Sequence, residues 1–187
     1  MALTTLDSKS ALIVIDLQNG IVALPVAHSA SEVVANASAL ANAFRHKNLP
    51  VVLVNVQGGA PGRVEQSRRL GDLPADWSDL VPQLEQQTED HTVTKRTWGA
   101  FSNTDLKEYL EARNVTQVVI AGISTSIGVE STARFAHEYG FNVTLAIDAM
   151  TDMSAESHAN SVTRIFPRLG ETGTTREIIS LLNSSQP

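Results

Sequence analysis

The strongest constraint on the fold is an almost wholly apolar run, SALIVIDL at residues 10–17, which contains the carboxylate of Asp16 near its end. Continuous apolar runs of this length are typical of parallel strands that are buried on both faces of a sheet. Residues 32–47 then carry apolar side chains at helical spacing, and a second apolar run, VVLVNV, occupies residues 51–56. This order of strand, helix and strand predicts one βαβ unit.

The same alternation continues along the chain. We predict strands at residues 92–95, 117–121 and 142–148, and helices at residues 105–113, 128–139, 154–168 and 175–182. Asn103 is expected to cap the helix at 105–113, and Gly140 to end the helix at 128–139. Residues 57–91 are rich in Gly, Pro and charge, with one short helix expected near residues 79–86.

Alternating strands and helices of this length predict an α/β fold of three layers, α/β/α, around a mostly parallel central sheet with right-handed crossovers. A length of 187 residues suits one domain that covers residues 1–187. Ligands of open parallel sheets bind at the carboxyl ends of the strands, so the pattern predicts that the active site lies at that edge of the sheet.

Composition narrows the class of protein. At 42% hydrophobic and 18% charged residues the chain reads as globular, and its net charge of -6 argues against a nucleic-acid partner. No apolar run reaches the roughly 18 residues of a membrane span, and the N-terminus lacks the pattern of a signal peptide. We therefore expect a cytoplasmic enzyme that acts on a small molecule, without a membrane partner.

Polar side chains follow four of the predicted strands. Asp16, Gln57 and the turn at residues 122–128 come just after strand ends, and Lys95 ends a fourth strand. Each residue alone has a plainer reading, because an Asp after a strand often caps a helix and a lone Lys is usually solvated. Together they predict one carboxylate, one ammonium and one amide at a single edge of the sheet.

The turn in AGISTSIGVESTAR, residues 121–134, has the strand-to-helix form that commonly carries a nucleophile, yet the chain contains no cysteine. Ser124 and Ser126 offer hydroxyls, but a hydroxyl nucleophile usually needs an oriented base. No histidine lies in a sequence motif with them, and none shows the spacing of zinc ligands. We expect surface or packing roles for all five histidines: His28, His46, His91, His137 and His158.

Three segments carry a resemblance to a known family: IDLQNG, VTKRTWGAFSNTDL and AGISTSIGVESTARFAHEYGFNVTLAIDAM. They resemble the signature blocks of the isochorismatase-like hydrolase superfamily, also called the cysteine hydrolases, over about residues 11–166. Members that cleave amides carry an Asp, Lys and Cys triad. Asp16 and Lys95 match the first two positions, and Gly128 stands at the position of the cysteine.

The resemblance implies the branch of this superfamily that works without a thiol, in which Asp, Gln and Lys carry the chemistry. Gln57 matches that glutamine in kind and place. It implies hydrolysis of the vinyl ether of isochorismate to pyruvate and a dihydroxy-dihydrobenzoate, with no metal or organic cofactor. It also implies a cis peptide at Ile123-Ser124 and a homodimer or higher homo-oligomer.

Vinyl-ether hydrolysis needs a proton delivered to carbon and then water added to the oxocarbenium ion. Asp16 is the candidate acid, which requires a raised pKa, and Lys95 is expected to bind a substrate carboxylate and to steady the anionic Asp16. Gln57 is expected to orient substrate or water. Further contacts to substrate are predicted for a set of residues near the site: Ile123, Ser124, Gly128, Trp98, Phe101 and Arg68.

Several readings stay open at this point. Arg63, Arg68 and Arg69 suit a dicarboxylate, and they equally suit a solvated face. Trp77 and Trp98 suit the wall of an apolar pocket, although core packing is the plainer role for Trp98. The alternatives for the whole protein are a catalytically silent family member that binds small molecules or acts as a scaffold, and a hydrolase of another small ester, amide or enol ether.

Overall fold

The structure is a computed structural model that describes residues 3–65 and 73–184. Its centre is a six-stranded sheet in the order β3-β2-β1-β4-β5-β6, in which every neighbouring pair runs parallel. The strands are β1 (Ser10–Ile15), β2 (Val51–Val56), β3 (His91–Lys95), β4 (Gln117–Ile123), β5 (Asn142–Thr151) and β6 (Glu171–Gly173).

Five of the α-helices lie between these strands in the chain, and the sixth follows β6. They are α1 (Asn19–Val22), α2 (Ala30–His46), α3 (Leu106–Ala112), α4 (Glu130–Glu138), α5 (Ala155–Asn160) and α6 (Thr175–Ser184). A π-helical turn, Thr125–Val129, leads into α4, and α5 continues through a second π-helical turn, Ser161–Ile165. None of the helices within the described residues is long and apolar enough to cross a membrane.

The sheet is buried on both faces, which confirms the predicted three layers. Leu12 and Val14 of β1 pack with the apolar faces of α2 and α6. Ile13 and Ile15, which point to the opposite face, pack with α3 and α4. Successive side chains of a strand point to opposite faces, so a strand covered on both sides is apolar at nearly every position.

The strand order reverses between β1 and β4. The chain runs from β1 outward through β2 to β3, and then returns to the other side of β1 for β4, β5 and β6. In open parallel sheets the crevice at such a reversal, outside the carboxyl ends of the strands, is the usual ligand site. Asp16 and the turn at residues 124–128 follow β1 and β4, and so they lie at this crevice.

Several predicted boundaries shift for local reasons. Helix α2 begins at Ala30 because the Ser29 side chain accepts a hydrogen bond from the Glu32 amide. The prediction of Asn103 as a cap is wrong, because Asn103 has a φ of 55° and Asp105 occupies the N-cap position of α3. Gly140, with a φ of 85°, directly follows the C-cap residue Tyr139 and stops α4 as predicted.

Other elements differ in type or were not predicted. The predicted helix at 154–168 is divided into α5, the second π-helical turn and a 3-10 turn at Phe166–Arg168, in which Pro167 has no amide hydrogen to donate. The short helix expected near 79–86 is a 3-10 turn at Pro82–Leu84. The short elements β6 and α1 had no distinct sequence signal.

Candidate active site

Asp16 is the first residue after β1, and the strand places its carboxylate at the reversal point of the sheet. Its φ of 51° lies in the left-handed region, which turns the chain sharply out of the strand. The residue is only 5% exposed, and its backbone amide still donates to the carbonyl of Val54 on β2. The carboxylate is therefore fixed by a rigid strand end and held in a largely buried position.

Lys95 is the last residue of β3, two strands away from β1. Its Nζ donates to Oδ2 of Asp16 at 2.7 Å and to the carbonyl of Thr97 at 3.2 Å. The residue is 2% exposed, so the ion pair with Asp16 is shielded from solvent. Buried charges need such pairing, because an isolated ammonium in the interior is strongly disfavoured.

Burial raises the pKa of Asp16 from 3.8 to about 6, although the charge of Lys95 and its hydrogen bond act in the opposite direction. Desolvation disfavours the charged form of a carboxyl group, and here it outweighs the nearby ammonium. The second carboxylate oxygen, Oδ1, is buried and accepts no hydrogen bond from the described residues. Asp16 thus combines a raised pKa with one oxygen that has no partner among the described residues, as expected of an acid or base.

The turn after β4 brings Gly128 against this pair. A Cβ at Gly128 would lie 3.3 Å from Oδ2 of Asp16 and 3.6 Å from Nζ of Lys95. Its nearest contact would be Cγ2 of Ile15 at 2.9 Å, which is closer than a Cβ normally approaches. A side chain at this position would therefore face the Asp16–Lys95 ion pair. The cis peptide expected at Ile123-Ser124 is present at the start of the turn.

Gln57 follows β2, and its backbone amide extends the sheet by donating to the carbonyl of Lys95 at 2.9 Å. Its side chain is exposed, and Nε2 donates to Oγ of Ser78 at 3.1 Å. The strand ends thus bring Gln57 to the predicted edge, while the described hydrogen bond of its amide is to Ser78. Its expected role in orienting substrate or water stays a prediction.

Gln18, two residues after Asp16, was not among the residues predicted for the site. Gln18 is fully buried, and its Oε1 accepts from the Val56 amide at 2.7 Å. Its Nε2 lies 3.2 Å from both the carbonyl of Val56 and that of Trp77. It therefore joins the ends of β1 and β2 to the segment around Trp77. Its sequence signal was that of an uncharged polar residue directly after the run at residues 10–17.

The remaining predicted contact residues have varied surroundings. Trp98 is 63% exposed, whereas Ile123 is buried in the core cluster of the α2 and α6 face. Phe101 is buried and stacks with Phe141 at a ring distance of 6.2 Å, which favours packing over direct contact with substrate. Trp77 lies against Gly20, where a Cβ would collide with its indole ring.

The basic cluster is only partly described. Arg63 is exposed, while Arg68 and Arg69 lie outside the described residues. The prediction that Arg68 contacts substrate, and the choice between a dicarboxylate site and a solvated face, therefore stay open. Among residues 3–65 and 73–184, no group of three or more His, Asp or Glu side chains could hold a metal ion.

The side chains after the cis peptide have partners from a distant part of the chain. Oγ1 of Thr125 lies 2.8 Å from Nδ1 of His158, 33 residues further on. Oδ2 of Asp152 accepts from both the amide and the hydroxyl of Ser126, at 2.8 Å each. The expectation that His158 has only a surface or packing role is incomplete, because its ring is hydrogen-bonded to the turn. No local sequence motif links the two segments, so this contact could not be predicted from the sequence.

Comparisons with known proteins agree with this architecture. The profile of the Isochorismatase domain family matches residues 10–177. An uncharacterized isochorismatase family protein of Bacillus subtilis (strain 168), YwoC, is 43% identical over 178 residues, which cover 91% of this chain and 93% of the relative. An isochorismatase family protein of Burkholderia thailandensis has a solved structure with a TM-score of 0.92 and 41% identity, covering 96% of this chain and 98% of the other.

More distant relatives carry the names of activities. Nicotinamidase 3 of Arabidopsis thaliana is 29% identical over 157 residues, covering 80% of this chain and 76% of the plant protein. A protein of Pseudomonas chlororaphis named as a probable isochorismatase is 28% identical over 158 residues, covering 79% of this chain and 74% of the relative. The named relatives therefore include both a nicotinamidase and a probable isochorismatase.

Proposed function

The chain is a hydrolase of the isochorismatase family, and we propose that it cleaves the vinyl ether of isochorismate, or of a closely related small molecule, without a thiol nucleophile. The observation that carries this proposal is the buried Asp16–Lys95 pair facing Gly128, a residue with no side chain to attack a substrate. Vinyl-ether hydrolysis needs an acid and a water molecule, and it needs no nucleophilic side chain.

The proposed reaction begins with proton transfer from the Asp16 carboxyl to the terminal CH₂ carbon of the enolpyruvyl group. That carbon becomes a methyl group, and the positive charge is shared by the adjacent carbon and the ether oxygen. Water then adds to this carbon and gives up one proton, which restores Asp16. The hemiketal breaks its carbon–oxygen bond to the ring, with a proton passing from the new hydroxyl to the leaving oxygen. The products are pyruvate and a dihydroxy-dihydrobenzoate.

Lys95 supports this reaction in two ways. Its ammonium lies 2.7 Å from Oδ2 and stabilises the carboxylate that Asp16 becomes after giving up its proton. Its positive charge is also proposed to bind a carboxylate of the substrate. Oppositely charged groups attract strongly in a partly dehydrated site. Gln57 is proposed to orient the substrate or the attacking water from the neighbouring strand end.

Amide hydrolysis, as the name nicotinamidase describes for one relative, has weaker support in this chain. The sequence has no cysteine. The hydroxyl of Ser126 donates to Asp152, and that of Thr125 is fully buried and bonded to His158. The imidazole of His158 would suit a general base for Thr125, but a fully buried hydroxyl cannot reach a substrate carbonyl, and Ser126 is bonded to a carboxylate instead of a histidine. Among the described residues, no hydrogen bond joins the hydroxyl of Ser124 to a base.

The direct test compares the two chemistries on purified protein. Incubation with isochorismate is expected to release pyruvate, which a coupled lactate dehydrogenase assay detects. Incubation with nicotinamide is expected to release no ammonia above the rate without protein. Ammonia release without pyruvate release would favour amide hydrolysis over the proposed reaction, and neither product would favour the silent binding protein.

The raised pKa of Asp16 predicts the pH dependence of this activity. An acid must carry its proton, so kcat/KM should be level below the pKa of about 6 in the free protein and should fall about tenfold per pH unit above it. Initial rates of pyruvate release across this range measure the profile. A rate that rises through the same region would instead make the ionised carboxylate the active form.

Gly128→Cys tests whether this residue faces the ion pair. The new thiol would lie beside Lys95, and a nearby ammonium lowers the pKa of a cysteine and raises its reactivity. We expect iodoacetamide to alkylate it faster at neutral pH than a free cysteine peptide. Some loss of stability is also expected, because the Cβ would press on Ile15.

Ser8→Cys provides the matched control, since Ser8 is exposed and precedes β1 at the opposite end of the strand. It should react like the free peptide. A folded Gly128→Cys variant that is alkylated no faster than this control would show that Gly128 does not face the pair.

Three other expectations remain predictions: the homo-oligomer, the cytoplasmic location and the single domain over residues 1–187.

A further inference from the structure

We propose that His158 is a positioning residue, which fixes the turn at residues 124–128 through its hydrogen bond to Thr125 and so holds Gly128 against the Asp16–Lys95 pair. The effect on turnover rests on the proposed function, whereas the effect on the position of Gly128 does not. His158 belongs to α5, which follows β5, and so it acts on the turn from another part of the chain.

The hydroxyl of Thr125 leaves little freedom in its choice of partner. Thr125 is fully buried, and its Oγ1 lies 2.8 Å from Nδ1 of His158. A buried hydroxyl that loses its hydrogen bond is disfavoured, so the turn is expected to move when this partner is removed. The bond therefore couples the position of α5 to the conformation of the turn.

A second contact shows that this part of the turn is held from one side. Asp152, which follows β5, accepts from the amide and hydroxyl of the next residue, Ser126, and from the amide of Ser154. Two consecutive residues of the turn thus depend on side chains from the segment that includes the end of β5 and α5. Asp152 holds the backbone at Ser126, and His158 holds the side chain of Thr125.

The imidazole of His158 also lies close to a second histidine ring. The ring of His28 lies 4.6 Å away, and Nδ1 of His28 is 3.0 Å from Oγ1 of Thr151 at the end of β5. Partial burial and the neighbouring His28 lower the pKa of His158, while Asp152 acts in the opposite direction. A ring that stays neutral at neutral pH retains one nitrogen able to accept a hydrogen bond.

The turn matters for the site because Gly128 is three residues beyond Thr125. A Cβ at Gly128 would be 3.3 Å from Oδ2 of Asp16, so the turn lies in close contact with the carboxylate. A displacement of the turn would change how closely a bound substrate approaches the acid. Small misplacements of this kind lower rates severely, by about 100-fold for about 1 Å.

The test removes the hydrogen bond from either end. His158→Ala and Thr125→Val are each expected to lower kcat for pyruvate release about tenfold, with KM changed less than about twofold, as a displacement of a fraction of an ångström would do. The double variant should lose little more than either single variant, because both remove the same contact. His158→Asn places an amide near the position of Nδ1 and should recover most of the rate.

The second readout does not depend on the reaction. In the Gly128→Cys background, His158→Ala should slow alkylation by iodoacetamide, and His158→Asn should restore it. His137→Ala is the matched control, because Nδ1 of His137 also has one hydrogen-bond partner, the carbonyl of Leu169, but His137 lies at the end of α4 remote from the turn. It should change neither the rate of hydrolysis nor that of alkylation.

The outcomes separate the two proposals. If the protein releases no pyruvate but His158→Ala still slows alkylation, the positioning role stands and the proposed reaction does not. Folded His158→Ala and Thr125→Val variants with unchanged alkylation would overturn the positioning role. A folded His158→Asn variant that recovers neither the rate of alkylation nor that of hydrolysis would also overturn it. If His158→Ala does not fold, the same rates in Thr125→Val and His158→Asn decide.

Discussion

Asp16→Asn is expected to abolish pyruvate release while the fold stays intact. The amide keeps the shape of the carboxyl group but cannot deliver a proton to carbon, and loss of a positioned acid lowers rates by about 100-fold to 10,000-fold. The backbone should tolerate the change, because Asn is among the residues that readily adopt a positive φ such as the 51° of Asp16. Steady-state kinetics and circular dichroism on the same preparation measure both parts of this prediction.

Glu111→Gln is the matched control for Asp16→Asn. Glu111 also forms an ion pair with a lysine, Lys107, at 3.2 Å, but this pair lies on the exposed surface of α3. The same loss of a negative charge there should leave the rate unchanged. Turnover near that of the unaltered protein in a folded Asp16→Asn variant would remove Asp16 from the mechanism.

Lys95→Ala is expected to lower kcat/KM by at least about 100-fold, the usual cost of losing a positioned electrostatic group. The substitution removes both the charge that stabilises the Asp16 anion and the proposed contact to a substrate carboxylate. It also removes the two influences that lower the pKa of Asp16, so the pH profile of any residual activity should shift upward. Rates across pH, with Lys107→Ala as the control, measure both effects.

The upward shift separates an electrostatic effect on Asp16 from a loss of packing alone, and the size of the rate loss separates a catalytic role from a structural one. Loss of packing alone would reduce the amount of folded protein, and it would leave the pH profile of the remaining activity in place. A mild effect on rate, comparable to that of Lys107→Ala, would make Lys95 a structural cation that only balances the charge of Asp16. A large loss of rate with an unshifted profile would contradict the coupling between these two side chains.

The fold could be predicted from the sequence because its strongest signals are local. The strand β1 is apolar at every position after Ser10, since both of its faces are covered. Such a continuous apolar run, followed in the chain by alternating helices and strands, predicts a parallel sheet. The strand β6 escaped prediction because its three residues, Glu171–Gly173, are too few to show any period. Its place is fixed by pairing with β5.

The Asp16–Lys95 part of the candidate site could also be predicted, because parallel strands bring their carboxyl ends to one edge. That rule places Asp16 and Lys95 together although 79 residues separate them. The rule about strand ends says nothing about side chains that contact the turn at residues 124–128 from other segments, such as α5. The contact between Thr125 and His158 depends on where α5 packs, and the direction of the Gln57 amide depends on Ser78 in an irregular segment.

Hydrolysis of isochorismate in D₂O tests the central claim most directly. Protonation of the vinyl carbon by a solvent-exchanged Asp16 should release pyruvate with one deuterium in its methyl group, seen by nuclear magnetic resonance in the first turnovers. The Asp16→Asn variant should release none above the spontaneous rate. If the unaltered protein releases no pyruvate, or if Asp16→Asn releases the same labelled pyruvate equally fast, the proposed role of Asp16 as the acid in vinyl-ether cleavage is contradicted.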